Sequence, residues 1–188
     1  TVADDLTRAA VALFAAQGYA NTSVQQIVEA AGVTKGAMYH YFSSKDELVA
    51  AALEALTQDV LHRLAAREEA LGEIADRERL ANLIDEQIRI LTETAPEVAA
   101  VFSWPRGWPD VFEEPMKEMR RRHDAVFRRV VEHGLANGEF ACPNVDVALQ
   151  CLHGILNQSS VWIRPGADED DRAELRAAIV DRALRLFS

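Results

Sequence analysis

The chain has 188 residues, enough to bury a substantial core as one or two domains. Its hydrophobic content of 49% with 27% charged residues excludes a disordered chain, and no apolar run approaches the ~20 residues of a membrane span. A formal net charge of -10 excludes a general nucleic-acid binder held by a broad basic surface, and two cysteines, Cys142 and Cys151, provide no disulfide framework, so a reducing cytoplasm is the expected home.

The periodicity predicts a first helix over about residues 4–17, with Leu6, Ala10, Leu13 and Phe14 on one face. Thr22 and Ser23 then open a short helix, with Gln26 at the capping-box distance from Ser23. Val24, Ile27, Val28 and Ala31 share its apolar face, and Gly32 ends it in a left-handed turn. Thr34 caps a second short helix, Lys35 to Tyr41, and Ser44 caps a long third one, with Glu47 three residues on. Two short helices and a tight turn, the second tipped with Thr, Lys, Gly, Tyr and His, form a device for entering a DNA major groove.

At this point the chain resembles a known family. Leu13-Phe14, Gly18-Tyr19, Thr22-Ser23-Val24, Ile27, Ala30-Ala31-Gly32-Val33, Lys35-Gly36, Tyr39-His40-Tyr41-Phe42 and Lys45 are similar to the DNA-binding domain of the TetR-type transcriptional regulators. The likeness is nearly continuous from Leu6 to Ala52. It implies an all-α protein of about nine helices. An N-terminal three-helix helix-turn-helix domain, residues 1–48, would precede a larger effector-binding and dimerisation domain, residues 49–188.

The rest of the chain also reads as helix. A long fourth helix spans about 45–70, and a fifth spans about 76–95, repeating Leu80, Leu83, Ile84, Ile88 and Leu91 and stopping before Pro96. A short helix at about 97–103 leads into the break Trp104-Pro105-Arg106-Gly107-Trp108-Pro109. Pro115 fits the first turn of a helix closed by Asn137-Gly138. Asn144 opens a helix to about Ile163, Arg164-Pro165-Gly166 breaks the chain, and a last, acid-opened helix carries Leu175, Ile179, Ala183 and Leu186 on one face.

The DNA-contact candidates are Thr22, Ser23, Thr34, Lys35, Gly36, Ala37, Tyr39, His40, Tyr41 and Lys45. Met38 and Phe42, four apart, face the domain's own core. Gly36 and Ala37 permit close approach, the tyrosine hydroxyls suit phosphates, and Ala37 offers a base only a methyl contact. Residues 1–49 hold Arg8, Lys35 and Lys45 against five acids, so binding has to rest on a few aimed contacts. The effector candidates are Arg89, Phe102, Trp104, Trp108, Met119, His123, Phe127, Leu152, His153 and Leu156, an aromatic and Met-rich set with isolated polar groups. His123 and His153 could meet across the body, and Arg89 or Arg106 could hold an anion.

The helix from 144 to 163 is apolar over more of its surface than one body covers, which predicts a homodimer through Ala148, Ile155, Ser159, Trp162, Leu175 and Ile179. The five histidines show no close ligand pair with a carboxylate at metal spacing, and no nucleophile elbow, phosphate loop or dinucleotide fingerprint occurs, so no metal, cofactor or enzyme activity is expected. The resemblance implies a ligand-responsive regulator acting as a repressor on a pseudopalindromic operator. Its effector would be small and apolar or amphipathic, and the segment Trp162-Ile163-Arg164-Pro165-Gly166 is similar to a branch with members that sense acyl-CoA. The alternative is a helical binding protein or enzyme on the same fold that has lost specific DNA binding.

Overall fold

The computed structural model describes residues 1–103, 108–163, 166 and 168–188; of residues 100, 102 and 103 only the backbone is described. Among the described residues there are nine α-helices and no strand: α1 (Val2–Gln17), α2 (Val24–Ala30), α3 (Lys35–Tyr41), α4 (Lys45–Leu71), α5 (Asp76–Arg89), α6 (Pro96–Ser103), α7 (Glu113–Asn137), α8 (Val145–Trp162) and α9 (Glu169–Leu184). They form two compact units, neither a continuous stretch of chain: residues 1–59 with 100–119, and residues 60–99 with 120–188. Helices α4 and α7 each run from one unit into the other. The expected breaks at residues 104–107 and at Arg164-Pro165 lie outside the described residues.

In the first unit local chemistry sets the helix ends. Ser23 and Gln26 form the reciprocal box: the Gln26 amide donates to Ser23 Oγ at 3.2 Å, and the Ser23 amide donates to Gln26 Oε1 at 2.8 Å. Gly32, at φ 67°, makes the left-handed turn before α3, and the Ala37 amide donates to Thr34 Oγ1 at 3.1 Å. The third cap differs from the predicted box. Ser44 Oγ accepts from the Glu47 amide at 3.1 Å, but the Glu47 carboxylate turns back to the amide and hydroxyl of Ser43. Leu6, Ala10, Phe14, Ile27, Met38 and Leu48 are buried between these helices, which fixes α3 against α1 and α2.

In the second unit α5 packs on α8 and α9. Leu80, Leu83, Ile84 and Ile88 of α5 meet a core that includes Phe127, Leu149, Leu152, Leu156, Ile179 and Phe187. The predicted fifth helix is interrupted: after Arg89 the chain widens into a π-helical turn, Ile90–Thr94, in which the Ala95 amide reaches back to the Ile90 carbonyl at 2.9 Å. Pro96 then starts α6, where its missing N–H costs nothing. Helix α9 is rotated from the predicted face. It buries Arg176, Ile179, Ala183 and Leu184 and leaves Leu175 38% exposed. The cause is Arg176, drawn inside by Asp85 at 2.9 Å and Glu93 at 2.6 Å.

Candidate DNA-binding head and effector-binding body

Met38 and Phe42 pack into the head, at 0% and 8% exposure, so the opposite side of α3 faces solvent. It presents Lys35, Gly36, Tyr39, His40 and Tyr41, with Ala37 half-buried beside them. His40 and Tyr41 stack edge to face at 5.2 Å. Ser23 and Thr34 are exposed, and each hydroxyl oxygen accepts a cap bond while its own proton stays available to a phosphate. Thr22 is a correction. It is 2% exposed, and its hydroxyl donates to the Gly18 carbonyl at 2.8 Å, so it braces the end of α1 and has no surface for DNA.

Lys45 is half-buried and engaged within the head. Its ammonium donates to the Tyr19 carbonyl at 2.8 Å and lies 3.7 Å from the centre of the Tyr19 ring. Burial pushes its pKa down, with Asp46 working in the opposite direction. Burial, and then the hydrogen bond to Asp46, push the Tyr19 phenol up to about 12, so it remains a donor. Tyr19 also belongs to an aromatic cluster with Phe14, Phe112 and Trp108. Trp108, an expected effector residue, therefore packs within the first unit, against Phe14 at 5.8 Å and Phe112 at 5.7 Å. Met119, buried, is assigned to the same unit.

The structure brings three of the effector candidates together in the second unit. His123 stacks on Phe127 at 5.2 Å and on His153 at 5.3 Å, and Phe127 meets His153 edge to face. Leu152 and Leu156 are buried on α8. Two polar partners were not anticipated. Gln87 Oε1 lies 2.9 Å from His123 Nε2, and Asp124 accepts from His153 Nε2 at 2.9 Å. Arg128 binds the other Asp124 oxygen at 2.9 Å and Asp146 at 2.8 Å. Gln87 had a sequence signal: it occupies a core position of α5, three residues beyond Ile84 and beside Ile88, where an apolar side chain is the rule.

Burial, and then the neighbouring His153, push His123 down to about 3, so its imidazole is neutral near pH 7. Burial alone would raise Asp124, but hydrogen bonds from Arg128 and His153 outweigh it and hold the carboxyl below its ordinary value. Arg89, expected as an anion holder, pairs instead with Glu93 at 3.8 Å. Trp104, Arg106 and the side chain of Phe102 lie outside the described residues.

The candidates for a dimer surface divide. Ala148, Ser159 and Ile179 are buried within the chain at 6%, 0% and 6% exposure, so little of them is left for a partner. Ile155 is half-buried, and Trp162 and Leu175 are exposed. Val147 and Val161, which lie on the same side of α8 as Trp162, are also exposed. The outward stripe of α8 is therefore rotated from Ala148 and Ser159 towards the valines. Among the described residues no group of three or more His, Cys, Asp or Glu is arranged to hold a metal, and no helix is long and apolar enough to cross a membrane.

Residues 6–52 match the family model of the bacterial regulatory proteins of the tetR family, and residues 73–187 match that of the tetracyclin repressor-like C-terminal domain. The HTH-type transcriptional repressor KstR2 of Mycolicibacterium smegmatis is 26% identical over 168 residues, spanning 87% of this chain and 80% of that protein. A bacterial regulatory protein in the tetR family from Rhodococcus RHA1 superposes with a TM-score of 0.83 at 23% identity, covering 100% of this chain and 97% of that one. The transcriptional regulator FadR from Bacillus subtilis, solved in complex with stearoyl-CoA, gives a TM-score of 0.78 at 20% identity, covering 97% and 96%. At these identities the two structures show a shared fold.

Proposed function

Because the chain belongs to the TetR family of bacterial transcriptional regulators, which are not enzymes, we propose that it is a homodimeric repressor released from a pseudopalindromic operator by a small apolar or amphipathic molecule. The observation that carries the reading is α3. Its Met38–Phe42 side is anchored in the head, and its Lys35, Tyr39, His40 and Tyr41 side is open. A homodimer on a pseudopalindrome has to present two such helices ~34–36 Å apart, one turn of DNA, and the outward side of α8, with Trp162 and Leu175, is the candidate surface for the second subunit. The reading places the protein in the cytoplasm, where the operator is.

The effector is assigned to the second unit, around His123, Phe127, His153, Leu152 and Leu156. Apolar walls with a few convergent polar groups suit such a ligand. It shifts the regulator only by its differential affinity for the DNA-bound and released states. An acyl-CoA is the first candidate, because the FadR structure of the same fold holds stearoyl-CoA. In that case apolar burial supplies most of the affinity, at ~0.8 kcal/mol per methylene, and affinity climbs with chain length until the site is full.

The net charge of -10 favours the second reading, a helical binding protein that no longer binds specific DNA. Selection from a random duplex library separates the two. The repressor reading expects an inverted repeat to be enriched, Tyr41→Ala to lose it, and an effector to release it. Failure to enrich any sequence at low salt would sink the repressor reading and leave the second.

A further inference from the structure

The polar pair Gln87–His123 stands among the apolar residues of α5, α7 and α8, and neither partner is fully satisfied. Gln87 is 4% exposed, and the only hydrogen bond of its side chain among the described residues is the one to His123 Nε2. That bond uses one nitrogen of the imidazole; Nδ1 has no hydrogen-bond partner among the described residues. Among the described residues Arg172 Nε is the one buried side-chain nitrogen or oxygen without a partner, so the spare groups of Gln87 and His123 are not sealed from solvent and a ligand can reach them. A ligand group that supplies the missing bonds takes the place of water there.

The bonding left over does not depend on how the amide is turned. If Gln87 accepts through Oε1, His123 Nδ1 is a free acceptor and the Gln87 amide N–H groups are free donors. If the amide is reversed, Oε1 is the free acceptor and His123 Nδ1–H a free donor. Either way the pair offers a donor and an acceptor side by side, and no charge. The charged neighbours are committed elsewhere. Asp124 is bound by His153 and Arg128, and Arg128 also reaches Asp146 at 2.8 Å and Glu132 at 3.7 Å. A carboxylate placed at His123 would meet a neutral ring next to the anionic Asp124, with no uncommitted cation among the described residues of the cluster.

We propose that Gln87 and His123 form a polar subsite within the effector site, selecting a neutral polar function at the end of an apolar chain, a hydroxyl or a carbonyl such as that of a thioester, and rejecting a carboxylate there. Phe127 and the ring of His153 flank the subsite, and Leu152 and Leu156 supply apolar surface on α8. This assignment rests on the reading of the second unit as the effector-binding body and adds to it the chemistry of the polar group it selects.

The test uses three probes of matched chain length: methyl octyl ketone, decanol and decanoate. They are titrated calorimetrically into the full-length chain near neutral pH, with nitrogen NMR of the histidine rings as a second readout. The ketone and the alcohol are expected to bind about tenfold or more tightly than decanoate, a gap of ~1.4 kcal/mol. The His123 ring nitrogens should shift on binding. His123→Phe and Gln87→Leu, each checked for an intact fold by circular dichroism, should weaken the ketone about tenfold and narrow the gap to decanoate. Decanoate binding as well as the ketone overturns the subsite, as do folded variants that keep the original preference. If none of the probes binds the unaltered protein, the effector-binding reading of this unit falls, and the subsite with it. Should both variants unfold, the preference order and the ring shifts of the unaltered protein still decide.

Discussion

Gly134 lies inside α7, where replacing Gly by Ala ordinarily stabilises by ~1 kcal/mol. Here the sign should reverse. A Cβ at this position would stand 2.2 Å and 2.5 Å from two carbons of the Phe140 ring, far inside contact distance. The ring has little freedom to retreat: Phe140 is 5% exposed, stacks on Phe187 at 5.9 Å, and its amide is tied to the Gly134 carbonyl at 2.9 Å. Overpacking of this kind costs ~1–3 kcal/mol, and evicting the ring to solvent instead forfeits ~1.5–3 kcal/mol of burial. An approach as close as 2.2 Å belongs at the upper end of those ranges, so net of the helix-propensity gain Gly134→Ala should destabilise by ~1–2 kcal/mol. In a chain of this size that lowers the melting temperature by roughly 2–8 °C. Calorimetric melting of Gly134→Ala, of Phe140→Leu and of the double variant forms a cycle. The clash predicts that Gly134→Ala is far less harmful once Phe140 is Leu, with a coupling of ~1 kcal/mol. A higher melting temperature for Gly134→Ala alone would refute the packing described for α7.

Three further outcomes follow from the two units. Lys35→Ala should lower the slope of log affinity for operator against log salt by about one, whereas Lys45→Ala should also lower the melting temperature, because it strips the Tyr19 carbonyl and ring of their cation; equal melting of the two variants would contradict that division. Val161→Asp together with Trp162→Asp should leave a monomer mass by light scattering at micromolar concentration and abolish operator binding; an unchanged dimer would move the interface off α8. Chemical denaturation should show stability rising with pH from about 3 to 6.5, because the unfolded His123 binds a proton that the folded one refuses. Asp124 adds to the fall at the acid end, its contribution being present above the ordinary carboxylate value and lost as pH drops through its lower folded value. His123→Phe should flatten the upper part of that window, and an unaltered slope there would show that His123 is not held neutral by its surroundings.

The head was legible because its signals are local. The Ser23–Gln26 box, the turn at Gly32 and the cap at Thr34 are each set by residues within a few positions of one another, and Met38 and Phe42 were placed by helical period alone. Thr22 was misjudged because a cap-like sequence does not reveal that its hydroxyl already serves the Gly18 carbonyl. Where the body departs from the pattern that periodicity and composition predict, the causes are non-local. The rotation of α9 is set by Asp85 and Glu93, more than eighty residues from Arg176. Trp108 was assigned by its aromatic character, but its ring partners Phe14 and Tyr19 lie on the far side of the sequence. Gln87 could have been found by asking why a polar side chain interrupts an apolar stripe.

The acidity of the chain can be reconciled with a DNA-binding head once its few cations are followed individually. Lys45 is committed to Tyr19, and Arg8 pairs with Asp5 at 3.1 Å, so Lys35 at the tip of α3 is the cation of the head best placed to meet a phosphate. Among the described residues of the head, the further candidates for grip are neutral donors, the hydroxyl protons of Ser23, Thr34, Tyr39 and Tyr41, whose contacts release no counterions from the DNA. In the repressor reading these residues would bind non-specific DNA weakly, because they offer few cations to its phosphates. Affinity would then depend on two heads docking together on a correctly spaced site. On that reading specificity would come from withholding charge rather than from adding base contacts, which suits an α3 whose Ala37 can touch a thymine methyl but cannot hydrogen-bond a base. The same economy would make the complex easy to release, since a small change in the spacing of the two heads would remove most of what holds them.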